Sequence, residues 1–118
     1  MRVSVRGQWP WEAAAMADDP RTWFVLLHSR GPAVAEGQSV FEHPGISQHY
    51  AFLQRRVAVG ELVAAGPLPD EPGSGMTVLA VADLDTATRL ATEDDQAVVQ
   101  GVLQVRVRPW QVVMARGD

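Results

Sequence analysis

The apolar positions of this chain change period from block to block, and each change marks an element. Residues Thr22 to Ser29, TWFVLLHS, are an almost continuous apolar run between Pro20 and Gly31-Pro32, so the pattern predicts a buried strand. Both parities of that strand are apolar (Trp23, Val25 and Leu27; Phe24 and Leu26), which calls for cover on both faces of a sheet. The glycine-containing loop GPAVAEGQSVFE, Gly31 to Glu42, is long enough to act as a flap beside a site. The period then becomes helical. Pro44 suits a first helical position, Ile46, Tyr50, Leu53 and Val57 recur at helical spacing, Phe52 widens the stripe, and Gly60 is placed to end it as a left-handed cap.

A second strand, ELVAAGPL, closes at Gly66-Pro67, and the stretch PDEPGSG is a turn by composition. MTVLAVA, residues 76–82, follows closely enough to pair with it as an antiparallel hairpin. Asp83 is a good N-cap for a second helix carrying Leu84, Ala87, Leu90 and Ala91 on one face. Asp94 and Asp95 interrupt it, and Asp95 is placed to cap a short helical turn ending at Gly101. In the last element Leu103, Val105 and Val107 alternate with Gln104, Arg106 and Arg108, the pattern of a strand with one wet face. Its apolar parity changes after Pro109, which predicts a bulge or an edge strand there.

The order strand, helix, strand, strand, helix, strand predicts an α+β fold of the ferredoxin-like split β-α-β kind (βαββαβ), with two helices on one face of a four-stranded antiparallel sheet. The second apolar face of strand one then stays open in a monomer, so a homodimer packed sheet to sheet is expected. Residues 21–118 read as a single domain. Residues 1–20, with Val3 and Val5 alternating before Trp9-Pro10-Trp11, read as an N-terminal arm or extension, and Met16 is an equally good native start.

Composition narrows the function classes. A chain of 118 residues fits one domain, and 47% apolar with 20% charged residues is ordinary for a globular protein. Its net charge of −4 and the sparse Arg55-Arg56 and Arg106/Arg108 give no electrostatic footprint for nucleic acid. The absence of Cys excludes disulfides, thiol nucleophiles and thiolate metal sites, and is compatible with the cytoplasm. No apolar run approaches the roughly 18 residues of a membrane helix. Arg2 and Arg6 precede AAAMA without the apolar core of a signal peptide, so the chain reads as cytoplasmic and unexported.

Among residues able to do chemistry, His49 stands three before Phe52 and four before Leu53, and so points toward the apolar seam of its helix. There it is either a satisfied core residue or a pocket base. Asp95 is its candidate partner, with helix capping as the other role; the adjacent Asp94 is an alternative. His28, at the end of strand one, either lines a site or anchors the loop, and His43 before Pro44 is explained by capping or exposure. Gly66-Pro67 lets backbone approach a ligand or simply ends a strand. Trp110 is a pocket wall or a core or interface residue. GSG at 73–75 reads as a turn only, and no Ser has a G-x-S-x-G context. No His pair has i, i+4 spacing, so no metal or other cofactor is expected.

The residues FVLLHSRGP at 24–32, HYAFLQRRVAVGELVAAGPL at 49–68, the glycine turn before MTVLAVA, EDDQAVVQGVL at 93–103 and VRVRPWQVV together resemble the YCII-related (YciI-like) family. The resemblance covers about residues 22–114. It implies a dimeric α+β barrel and a small-molecule enzyme with a His-Asp dyad in a pocket, His49 and Asp95 matching the dyad. The family commonly has Asp-Pro-Phe at the aspartate, whereas Gln96 and Ala97 follow Asp95 here. Two functions are therefore expected alternatives. One is a cofactor-independent lyase or isomerase in which His49 and Asp95 act on a small molecule held near His28, Gly66, Pro67 and Trp110. The other is a non-catalytic metabolite-binding or accessory protein-interaction domain.

Overall fold

The first apolar run forms strand β1 (Thr22–Arg30) in the computed structural model, which describes residues 21–118. The arm expected over residues 1–20 lies outside the described residues, and Met16 with it. Strands β2 (Leu62–Pro67) and β3 (Gly75–Leu79) make the expected antiparallel hairpin, and β4 (Leu103–Gln111) returns beside β1. The sheet runs in the order β2-β3-β1-β4 with every neighbouring pair antiparallel, which is consistent with the ferredoxin-like arrangement.

Among the described residues there are three α-helices, the two expected and, as the third, the short helical turn expected after Asp95. Helix α1 (Ser47–Ala58) follows β1, but α2 (Leu84–Arg89) runs into a π-helical turn, Leu90–Asp94, before a separate short helix, α3 (Gln96–Val99). The cause is Asp95. Its backbone is extended (φ −84°, ψ 102°), its N–H reaches back to Leu90 O at 3.3 Å, and its side chain caps α3. Asp83 caps α2 as expected, accepting from Thr86 N–H at 2.8 Å.

The core lies between one face of the sheet and the helices. Phe24 and Leu26 of β1 and Leu79 of β3 meet Phe52 of α1, Ala87 of α2 and Ala91 of the π turn. The stripe predicted for α1 is rotated in the structure. Phe52 is fully buried, whereas Tyr50 and Val57 are 48% and 61% exposed. The inward row is His49, Phe52, Leu53 and Arg56, an i, i+3, i+4, i+7 set with a polar residue at each end. Leu84, expected on the buried face of α2, is likewise exposed.

The β1–β4 ladder runs without a register shift from Thr22↔Gln111 to Arg30↔Leu103, so Pro109 sits in an edge strand and not at a bulge. The change of apolar parity moves Trp110 to the opposite face of the sheet, where its ring meets Trp23 edge-on at 5.8 Å. That second face also presents Val25 and Leu27, both half-buried.

The loop after β1 is pinned at its start. Gly31 N–H bonds Val102 O and Ala33 N–H bonds Gly101 O, each at 2.9 Å, and Val34 and Val40 are buried against Ala97, Val102 and Leu103. A Cβ at Gly31 would fall 2.1 Å from Gly101 O, so only glycine permits this crossing of backbones.

Candidate functional site

His49 owes its position to the short 3-10 turn Pro44–Ile46 that leads into α1. His43 Nδ1 accepts from Gly45 N–H there at 2.9 Å, the capping role read from its place before Pro44. The first turn of α1 then aims His49 along the inward row, toward the start of α3.

Asp95 meets it. The carboxylate is fully buried, with Oδ1 accepting from Ala97 N–H at 3.0 Å and Oδ2 lying 2.7 Å from His49 Nδ1. The two roles read for Asp95 are thus one arrangement: one oxygen caps α3 and the other holds the imidazole. When the carboxylate is ionised it can only accept, so a neutral ring bonded to it carries its proton on Nδ1 and keeps Nε2 as its acceptor. Asp94 is not the partner. It faces the other way, with its Oδ2 taking bonds from Arg55 Nε and Nη2 at 3.3 and 3.2 Å.

His28 completes a cluster. It is the last inward-facing residue of β1, 4% exposed, with Nε2 4.0 Å from Asp95 Oδ2 and its ring 4.7 Å from that of His49. Among the described residues neither of its ring nitrogens has a hydrogen-bond partner. Burial first, and then the neighbouring His49, lower its pKa to about 4 against a smaller opposing pull from Asp95, so the ring is neutral at physiological pH. The ligating atoms of His28, His49 and Asp95 all lie within 4.8 Å of one another. The expectation of no metal rested on spacing and on the absence of a ligand motif, and neither registers side chains that a strand, a helix and a distant cap bring together.

Beside the cluster opens a mainly apolar cleft, with His28, His49, Gly66 and Pro67 in its wall. Trp110 is absent from it, because strand parity sends that side chain to the other face of the sheet. Sequence reasoning missed Phe41 and Tyr50, which line the cleft, and missed that Gly73, Ser74 and Gly75 are wall as well as turn. An aromatic residue directly after His49 in α1 was the available signal for Tyr50, but its helical spacing pointed to the core.

A model of the YCII-related domain matches residues 22–111. The chain belongs to the YCII-related domain family. No curated protein matches it. The matched stretch of this YCII-related domain holds all four strands and all of the cluster: His28, His49 and Asp95. Among the described residues of the YCII-related domain no helix is long and apolar enough to cross a membrane.

Proposed function

We propose that this YCII-related domain is a cofactor-independent small-molecule enzyme of lyase or isomerase type, in which His49 is the general base and Asp95 holds it. The observation that carries this reading is the 2.7 Å contact from His49 Nδ1 to a carboxylate that is itself fully buried and anchored by Ala97 N–H. Such a carboxylate fixes the ring's tautomer and steadies the imidazolium formed when Nε2 takes a proton. Positioned acid–base help of this kind is worth on the order of a hundred- to ten-thousandfold in rate. The mainly apolar cleft, with Phe41 and Tyr50 in its wall, suits a small cyclic or aromatic substrate. Gly66-Pro67 and His28 supply its other contacts.

The same reading includes a cytoplasmic homodimer, closed sheet to sheet as an α+β barrel. Its support is the apolar second face of β1 with the Trp23–Trp110 pair, the kind of surface that usually marks an interface.

The test is a metabolite pool in heavy water, incubated with the wild type and with His49→Ala and read by mass spectrometry. Base chemistry gives a wild-type product, or deuterium in a recovered ligand, that His49→Ala does not give. Retention of one ligand by both proteins, with neither product nor deuterium, overturns the enzyme reading in favour of a binding or accessory domain.

A further inference from the structure

The same three side chains carry more than a hydrogen-bonded dyad. We propose that His28, His49 and Asp95 form a binding site for a divalent transition metal of zinc-like preference, and that its occupation and base action by His49 exclude one another. Two imidazoles and one carboxylate are the donors such an ion takes when three protein ligands leave a position open. Here that open position faces the cleft lined by His28 and His49.

The distances bracket what the ion needs. Bonds of about 2.0–2.2 Å place the donors of a tetrahedral site roughly 3.3 Å apart. Asp95 Oδ2 is 2.7 Å from His49 Nδ1 and 4.0 Å from His28 Nε2, and all three donors lie within 4.8 Å of one another, so the two rings must shift in opposite senses relative to the carboxylate to reach that spacing. Asp95 Oδ1 need not move, since Ala97 N–H already holds it and would orient the ligand from behind.

His28 gives the independent reason. It is a buried imidazole aimed at the carboxylate, with no partner for either nitrogen among the described residues. Buried polar groups are normally satisfied, and its ring adds nothing to the His49–Asp95 bond. A cation between the three groups supplies its missing partner.

Exclusion follows from the tautomer. A metal on Nδ1 of His49 takes the lone pair that the Nδ1–H form lacks, so the neutral ring must carry its proton on Nε2 instead. Nε2 then becomes a donor and can no longer accept a proton. Metal binding itself does not depend on His49 being a base. Only the exclusion rests on that reading, and the tautomer can be observed without any substrate.

The experiment uses untagged full-length protein and Zn2+ alone, followed by calorimetry and by the visible bands of a Co2+-substituted sample. The wild type is expected to bind one equivalent per chain with tetrahedral Co2+ bands. His28→Leu, which keeps the site filled and apolar, loses affinity by about a hundredfold or more. His43→Asn, outside the cluster but able to keep its cap, binds as the wild type does. Long-range nitrogen–proton NMR should show His49 as the Nδ1–H tautomer without zinc and the Nε2–H tautomer with it. Absence of stoichiometric binding by the wild type, or equal binding by a folded His28→Leu, overturns the site. Zinc binding that leaves His49 in the Nδ1–H form overturns both His49 as a ligand of the site and the exclusion, while leaving the base reading untouched.

Discussion

Single atoms decide what Asp95 and Gly31 do. In Asp95→Asn one side-chain atom can still cap α3, and asparagine is as good an N-cap as aspartate, so stability should change by no more than about 1 kcal/mol in denaturant melts. The amide then offers N–H where Oδ2 stood, which draws the His49 proton to Nε2; nitrogen–proton NMR of the metal-free protein should show the switched tautomer. An unchanged Nδ1–H tautomer would mean that Asp95 does not control the ring. Gly31→Ala is a harsher change, because the new Cβ meets a backbone oxygen that cannot step aside alone. The Gly31–Val102 and Ala33–Gly101 bonds should part, at a cost of about 3 kcal/mol, with faster amide exchange at both positions. At the chain's far end, Asp118 is held down to about 2 by the Arg21 guanidinium that it meets at 2.7 Å. Its contribution is present above the ordinary value of 3.8 and is lost as pH falls toward 2; Arg21→Ala should move its NMR titration up toward the ordinary value, with the Ala115 N–H bond still holding it below. Both partners are exposed, so salt weakens the effect.

Elements show where pattern and packing part company. Strand β1 and the β2–β3 hairpin were legible because a bounded apolar run and Gly-Pro punctuation mark them, whereas the register shift between Leu62 and Ala64 in that hairpin was not. The rotation of α1 was not. Ile46, Tyr50, Leu53 and Val57 and the observed row of His49, Phe52, Leu53 and Arg56 are both acceptable helical stripes, one step apart on the wheel. Packing chose the second because Phe52 fills the space against Phe24, Leu26 and Leu79, and Arg56 can cover its ring from 5.8 Å while pairing with Glu61 at 2.5 Å. Phe52→Ala should therefore cost about 3–5 kcal/mol in a urea melt, whereas Tyr50→Ala should cost well under 1 kcal/mol while altering the cleft wall. Comparable costs for the two would return α1 to the stripe with Tyr50 inside. The split of the second helical segment was half legible: Asp95 announced a cap, but the π-helical turn before it depends on where the cap must sit to reach His49.

Over the whole molecule, the sheet has one face covered by α1 and α2 and another carrying Trp23, Val25, Leu27 and Trp110. If the sheets of two copies close on each other, sedimentation at micromolar concentration should show a species of twice 12.8 kDa, and Trp23→Arg with Trp110→Arg should shift it toward the monomer. A wild type that sediments as a monomer under those conditions sinks the dimer. Strand number, the order of strands and helices, the hairpin and the caps at Asp83 and Asp95 were determined by sequence alone, because they rest on local periods and on backbone chemistry within a few residues. The tertiary structure alone decided that Asp95 and not Asp94 holds His49, that His28 joins them, and that Trp110 leaves the site. Those outcomes depend on how a strand end, a helix start and a distant cap converge, and on which parity of β4 faces the core; contacts between segments far apart in the chain leave no period in the sequence to read.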